Sequence, residues 1–120
     1  MTTIRLYHNP RCSKSRQALE LLQQQAVNLE IIDYLKTPPS EAELDALLHM
    51  LDMEPRELMR KKETEYLDLH LDDITLERKH LIKVMAEHPR LIERPIAVSG
   101  QQARIGRPPE RLLELLAKKA

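Results

Sequence analysis

The sequence predicts an α/β domain built on a mixed sheet, and three observations carry that reading. A strand, a helix and a strand follow one another within the first 33 residues. A purely helical stretch then occupies residues 40–88, and a short β-hairpin pattern with a leucine-rich helix closes the chain. A β-α-β unit pairs its strands in parallel, whereas a hairpin pairs them antiparallel. One sheet holding both must be mixed.

Each element has its own warrant. Residues 3–7, Thr-Ile-Arg-Leu-Tyr, alternate in polarity and run into Asn9-Pro10, a strand entering a loop. Over residues 13–26, Ala18, Leu19, Leu22 and Ala26 recur on one helical face. Residues 29–33 form a second strand before Thr37-Pro38-Pro39. Ser40 and Glu43 have the spacing of a capping box and open a helix carrying Leu44, Leu47, Leu48 and Leu51. Pro55 suits the first turn of another helix, through Leu58, Met59 and Arg60. A further helix is expected from about Thr75 to Glu87, stopped by Pro89. Residues 96–98 and 102–105 flank Gly100 as a hairpin, and Pro108-Pro109 open a terminal helix with Leu112, Leu113, Leu115 and Leu116. With the helical insertion at about 40–88 set aside, the order β-α-β, β-β-α is that of a thioredoxin-like domain. The expectation is one domain over residues 1–120 with that insertion.

Composition narrows the function classes. Nineteen Lys and Arg balance nineteen Asp and Glu, so the overall charge points neither to nucleic acid nor to an anionic membrane. No apolar run is long enough to span a bilayer, and the N-terminus lacks the basic-then-apolar pattern of a secretory signal. A cytoplasmic location is expected. The single cysteine, Cys12, cannot close an internal disulfide, so any second sulfur in its chemistry must come from another molecule. The five histidines show no metal-ligand spacing, and no metal site is expected.

The informative stretch is His8-Asn9-Pro10-Arg11-Cys12-Ser13-Lys14-Ser15-Arg16. It sets the cysteine between a strand end and a helix start, where free N–H groups and the helix dipole favour an anion. No acid precedes Glu20, while His8, Arg11, Lys14 and Arg16 crowd the same few residues. A lowered thiol pKa follows. An ordinary thiol near ~8.5 is about 3% ionised at pH 7, and lowering it to about 6.5 makes the thiolate the major form, for roughly 2.7 kcal/mol. A lone cysteine is more often a small buried hydrophobe, but the polar neighbours here argue against burial. A Cys-x5-Arg phosphate loop would need arginine at position 18, where Ala18 stands, and a Cys-x-x-Cys dithiol would need cysteine where Ser15 stands.

The stretch Tyr7-His8-Asn9-Pro10-x-Cys12-x-x-Ser15-Arg16 resembles the opening of the glutaredoxin-coupled arsenate reductases. The likeness continues through Tyr34-Leu35, Pro38-Pro39, Leu58-Met59-Arg60-Lys61, Arg94-Pro95-Ile96 and Ile105-Gly106-Arg107-Pro108, and so spans nearly the whole chain. Within that family the wording HNPRCSKSR and ARIGRPPE is nearest an uncharacterised branch. The resemblance implies Cys12 as nucleophile and Arg60, Arg94 and Arg107 as the arginines that hold the oxyanion. It implies that His8 lowers the thiol pKa, that Ser15 and Arg16 of the motif are supporting residues of the site, and that Pro95 is the cis-proline beside the active cysteine.

The implied reaction reduces arsenate to arsenite with glutathione as co-substrate and glutaredoxin as partner. No bound cofactor, nucleic acid or membrane is implied, and a monomer is expected. Guanidinium groups suit a tetrahedral oxyanion because they stay charged and can pair two oxygens at once. Each arginine also has a plainer reading. Arg60, in the run Arg60-Lys61-Lys62, reads alone as a solvated surface residue, and Arg16 can instead pair with Glu20 one turn on. Two rival functions share the fold: an Spx-like transcription regulator, and a monothiol glutaredoxin-like protein holding glutathione or an iron–sulfur cluster. The Cys-x-x-Cys common in such regulators is absent here.

Overall fold

The computed structural model describes residues 2–116. The chain forms two compact units: residues 2–37 with 94–116, and Pro38–Glu93.

The first unit is the sheet. Strands β1 (Thr2–His8), β2 (Val27–Asp33), β3 (Ile96–Ser99) and β4 (Gln102–Ile105) lie in the order β2-β1-β3-β4. β1 runs parallel to β2 and antiparallel to β3, and β3 runs antiparallel to β4, so the sheet is mixed as expected. Helix α1 (Ser13–Gln23) crosses between the two parallel strands. It ends earlier than residue 26, because Val27 already pairs with Thr2 and all seven residues of β2 are used against β1. Ala26 is accordingly exposed, while Ala18 and Leu22 are fully buried. The β3–β4 turn has Gly100 at φ 61°, the first central position of a two-residue hairpin that only glycine occupies readily.

The terminal element is not an α-helix within the described residues but a 3₁₀ segment, Pro109–Leu115. Three residues per turn stack Leu112 and Leu115 on one side, and both are buried, whereas Leu113 and Leu116 are only half-buried. Leu112 and Leu115 join Ile4, Leu6, Ala18, Leu22 and Ala97 in one apolar cluster that clamps α1 to the sheet.

The second unit is helical. Helix α2 (Glu41–Leu51) opens on the expected capping box: Ser40 Oγ accepts the Glu43 N–H at 3.1 Å and Glu43 Oε1 accepts the Ser40 N–H at 3.0 Å. Its Leu44, Leu47 and Leu48 are buried, as are Leu81, Ile82, Val84 and Met85 of helix α4 (Arg78–Glu87). The segment after Pro55 makes a single 3₁₀ turn, Pro55–Leu58, because Met59 bridges to Ile92 and the Arg60 N–H is taken by Leu91 O at 2.7 Å. α4 begins three residues later than expected. Asp73 holds the Thr75 N–H and hydroxyl at 2.9 and 2.7 Å in a local turn that competes with helix. A short helix α3 (Thr64–Asp68), not foreseen from the sequence, lies between. Among the described residues no helix is long and apolar enough to cross a membrane.

Gly106 is where the sheet unit tolerates least change. A Cβ there would stand 2.9 Å from Pro95 Cγ and 3.1 Å from Leu112 Cδ1. Overpacking of this kind costs about 1–3 kcal/mol. Gly106→Ala should therefore lower the unfolding free energy by that amount, read as a lower urea midpoint with an unchanged m-value, and a midpoint equal to wild type would contradict the contact.

Candidate active site

The register of the sheet brings distant residues to one end. Tyr7 pairs with Ile96 and Ile96 with Ile105, so the end of β1, the start of β3 and the end of β4 coincide. The loop holding Cys12, the Arg94-Pro95 pair and the Gly106-Arg107 pair all leave from there. Both Arg94-Pro95 and Arg107-Pro108 are cis peptides, as expected for Pro95. The Gly106 N–H donates to Pro95 O at 2.8 Å, and Arg107 Nε donates to Arg94 O at 2.8 Å. The two pairs are thus laced together.

Cys12 is the N-cap of α1, extended at φ −96° and ψ 123°, and half-buried. Its N–H donates to Asn9 O at 3.0 Å and its carbonyl accepts the first helical N–H, from Arg16, at 3.0 Å. Burial alone would push the thiol pKa up. The Ser15 N–H, the Arg94 side chain by hydrogen bond and by charge, and the Lys14 N–H outweigh it, and the thiol sits below its ordinary value. A side chain some eighty residues away thus does much of what the local basic run was expected to do.

Ser15 is fully buried, and its Oγ accepts the Asn9 N–H at 3.0 Å while meeting His8 Nδ1 at 2.7 Å. His8 is therefore engaged with Ser15. Burial pushes its pKa down, Asp33 works against this, and Arg16 adds to it. Burial thus disfavours the charged imidazole, and the contact the structure gives His8 is with the loop it braces through Ser15. Arg16 donates to Pro10 O at 3.0 Å, not to Glu20 as its plainer reading had it.

Arg94 is half-buried and Arg107 exposed. Arg60 belongs to the other unit, where it is no freely solvated cation. Its guanidinium bonds Glu63 and lies 4.0 Å from Glu93 Oε1, and Glu63 is shared with Arg90 at 3.3 Å. The acidic partner three residues on is a signal that Arg60-Lys61-Lys62-Glu63 carried in the sequence and that the plainer reading overlooked. Among the described residues no three of His, Cys, Asp and Glu gather in a metal-sized cluster.

Two measurements check this electrostatic picture. Iodoacetamide alkylation against pH should place the Cys12 midpoint below ~8.5, and Arg94→Ala should move it upward. A wild-type midpoint at or above that value contradicts the site. For His8 the folded pKa lies below the unfolded one, so between the two the unfolded chain binds more protons and stability rises with pH. Urea unfolding should thus show stability lost as pH falls below about 6.5, with a shallower loss in His8→Gln. Equal slopes in the two proteins would show that His8 does not carry the effect.

Comparison with known proteins bears on the family and the fold. The model of the ArsC family matches residues 7–115. The chain is 50% identical over 114 residues to YfgD of Escherichia coli K12, an uncharacterized protein, covering 94% of this chain and 96% of that one. It is 41% identical over 117 residues to a protein of Neisseria meningitidis serogroup A named arsenate reductase, covering 97% of this chain and all of that one. The solved structure of an arsenate reductase from Vibrio cholerae superposes with a TM-score of 0.92 at 50% identity, over 95% of this chain and 98% of that one. The thioredoxin-like fold expected from the element order is borne out, and the chain belongs to the ArsC family.

Proposed function

We propose that the protein reduces arsenate to arsenite through the Cys12 thiolate, with glutathione and glutaredoxin supplying the electrons in a reducing cytoplasm. The observation that supports this most is the pairing of a depressed thiol with Arg94 at the sheet end where Arg107 is also held. An oxyanion and a thiolate repel one another unless cations neutralise the oxygens, and guanidinium groups meet that need without titrating. The arsenate reductase names carried by relatives along the full chain point the same way.

Cys12 attacks arsenic(V) and one arsenate oxygen leaves as water. Glutathione adds to the same arsenic, again with loss of water. The glutaredoxin thiolate then attacks the glutathione sulfur, forming a mixed disulfide and leaving the As–S electron pair on arsenic, which becomes arsenic(III). Hydrolysis frees arsenite and returns the Cys12 thiol. No second thiol in the chain is required, in keeping with the single cysteine.

The test is arsenate-dependent NADPH oxidation with glutathione, glutaredoxin and glutathione reductase supplied, and arsenite measured directly. Wild type should turn over repeatedly and Cys12→Ser not at all. Arg94→Ala and Arg107→Ala should each lose tenfold or more in kcat/KM for arsenate, because each removes a charge-assisted contact worth about 1.5–3 kcal/mol. If folded protein with reduced Cys12 releases no arsenite, the reading is wrong.

A further inference from the structure

The parallel pairing of β1 with β2 sets His8 opposite Asp33, so the segments leaving these two strands start side by side. Small-molecule sites are concave, with a few polar groups set among apolar surface. Here such a crevice exists. Asn9, Pro10 and Arg11 form one wall, Asp33, Leu35 and Lys36 the other, around a cavity of about 320 Å³. That is the lower end of the range for small-molecule sites, roughly 300–1,000 Å³.

The wall residues do not share one sign of charge. Arg11 and Lys36 are exposed cations whose side chains make no hydrogen bond or ion pair among the described residues. Asp33 lies half-buried with one carboxylate oxygen accepting the Leu35 N–H at 3.2 Å. Its backbone oxygen accepts the Lys36 and Thr37 N–H groups at 3.1 and 2.9 Å, which fixes the turn. Asn9 Oδ1 holds the Arg11 N–H at 3.0 Å and so fixes the facing wall. Pro10 and Leu35 supply apolar surface between the charges. Cys12 follows Arg11 directly, about 3.8 Å on by Cα spacing.

We propose that this crevice is the subsite for the co-substrate thiol, a γ-glutamyl tripeptide of the glutathione type. Such a molecule carries two carboxylates and one ammonium on a short chain with the thiol at its middle. Arg11 and Lys36 take the carboxylates, Asp33 takes the ammonium, and the central sulfur reaches over the crevice rim to Cys12. A simple oxyanion would use the cations but has nothing for Asp33. The proposal rests on the reductase reading in taking glutathione as the second thiol, yet it can be tested without arsenate.

The probe is glutathione disulfide. Attack of the Cys12 thiolate on one of its sulfurs forms a Cys12–glutathione disulfide and releases one glutathione thiolate, with no other reactant needed; intact mass follows the adduct. Wild type should show a rate that saturates with glutathione disulfide, and a linear rate with hydroxyethyl disulfide (neutral) and dithiodiglycolate (two carboxylates, no ammonium). Arg11→Ala with Lys36→Ala should lower the initial slope for glutathione disulfide at least tenfold and abolish saturation. Hydroxyethyl disulfide should react with the variant at the wild-type rate, which also reports that the thiol is intact. A linear glutathione disulfide rate in wild type overturns the subsite. So does an equal fall for glutathione disulfide and dithiodiglycolate in the variant, which would mean general charge attraction only. Arsenite release decides the reductase reading separately: arsenite without saturation sinks the subsite alone, and saturation without arsenite sinks the reductase alone.

Discussion

The buried hydroxyl of Ser15 is the contact on which the geometry around Cys12 depends. It receives the first N–H after β1, from Asn9, and it meets the last side chain of β1, His8. Strand end and helix start are thereby pinned to one atom from inside the first turn of α1. Cys12 stands between the pinned points, with its own N–H turned back to Asn9 O. A buried polar atom left without partners costs about 1–3 kcal/mol, so the loop has little freedom to open. The thiol is consequently presented at the helix N-terminus in an extended cap conformation, where the Ser15 and Lys14 N–H groups favour its ionised form.

Sheet register then supplies what the loop lacks. The cation that acts on the sulfur, Arg94, enters because β3 is antiparallel to β1 and begins where β1 ends. Arg107 arrives by the same logic one strand further out, and its Nε fastens the Arg94 carbonyl. Gly106 makes the approach possible, since any side chain there would collide with Pro95 and Leu112. Packing and chemistry meet in a few residues, because the 3₁₀ segment that closes the apolar cluster leaves directly from the cis Arg107-Pro108 pair.

Much of this was legible in the sequence, for reasons that are themselves physical. The alternation of Ile4 and Leu6, the spacing of Ala18 and Leu22, and the Ser40–Glu43 capping box are local signals, and local structure follows them. The lone cysteine in a basic, acid-free stretch is a local signal too. What the sequence did not disclose was pairing. The late start of α4 comes from Asp73 claiming Thr75, and the early end of α1 comes from the demand of β1 for a full-length partner. The basic run suggested that His8, Arg11, Lys14 and Arg16 would act on the sulfur together. In the fold His8 is spent on Ser15 and Arg16 on Pro10 O, while Arg11 borders the crevice. Arg60, plausible alone as a solvated residue, turns out to be bound by Glu63.

The division of labour between histidine and arginine has a consequence for how the site responds to pH. A thiol held down by a protonated histidine loses that support as the imidazole gives up its proton, within the pH range in which cells operate. Here burial pushes the imidazole toward its neutral form, and the charge beside the sulfur belongs to a guanidinium. Guanidinium stays protonated throughout that range. The part of the field that Arg94 supplies therefore does not switch off over that range. On the proposed function, an arsenate substrate would gain negative charge as pH rises, which would strengthen its attraction to Arg94 and Arg107 while the thiolate fraction rises. A histidine-supported thiolate would weaken just as its substrate became more anionic; an arginine-supported one does not.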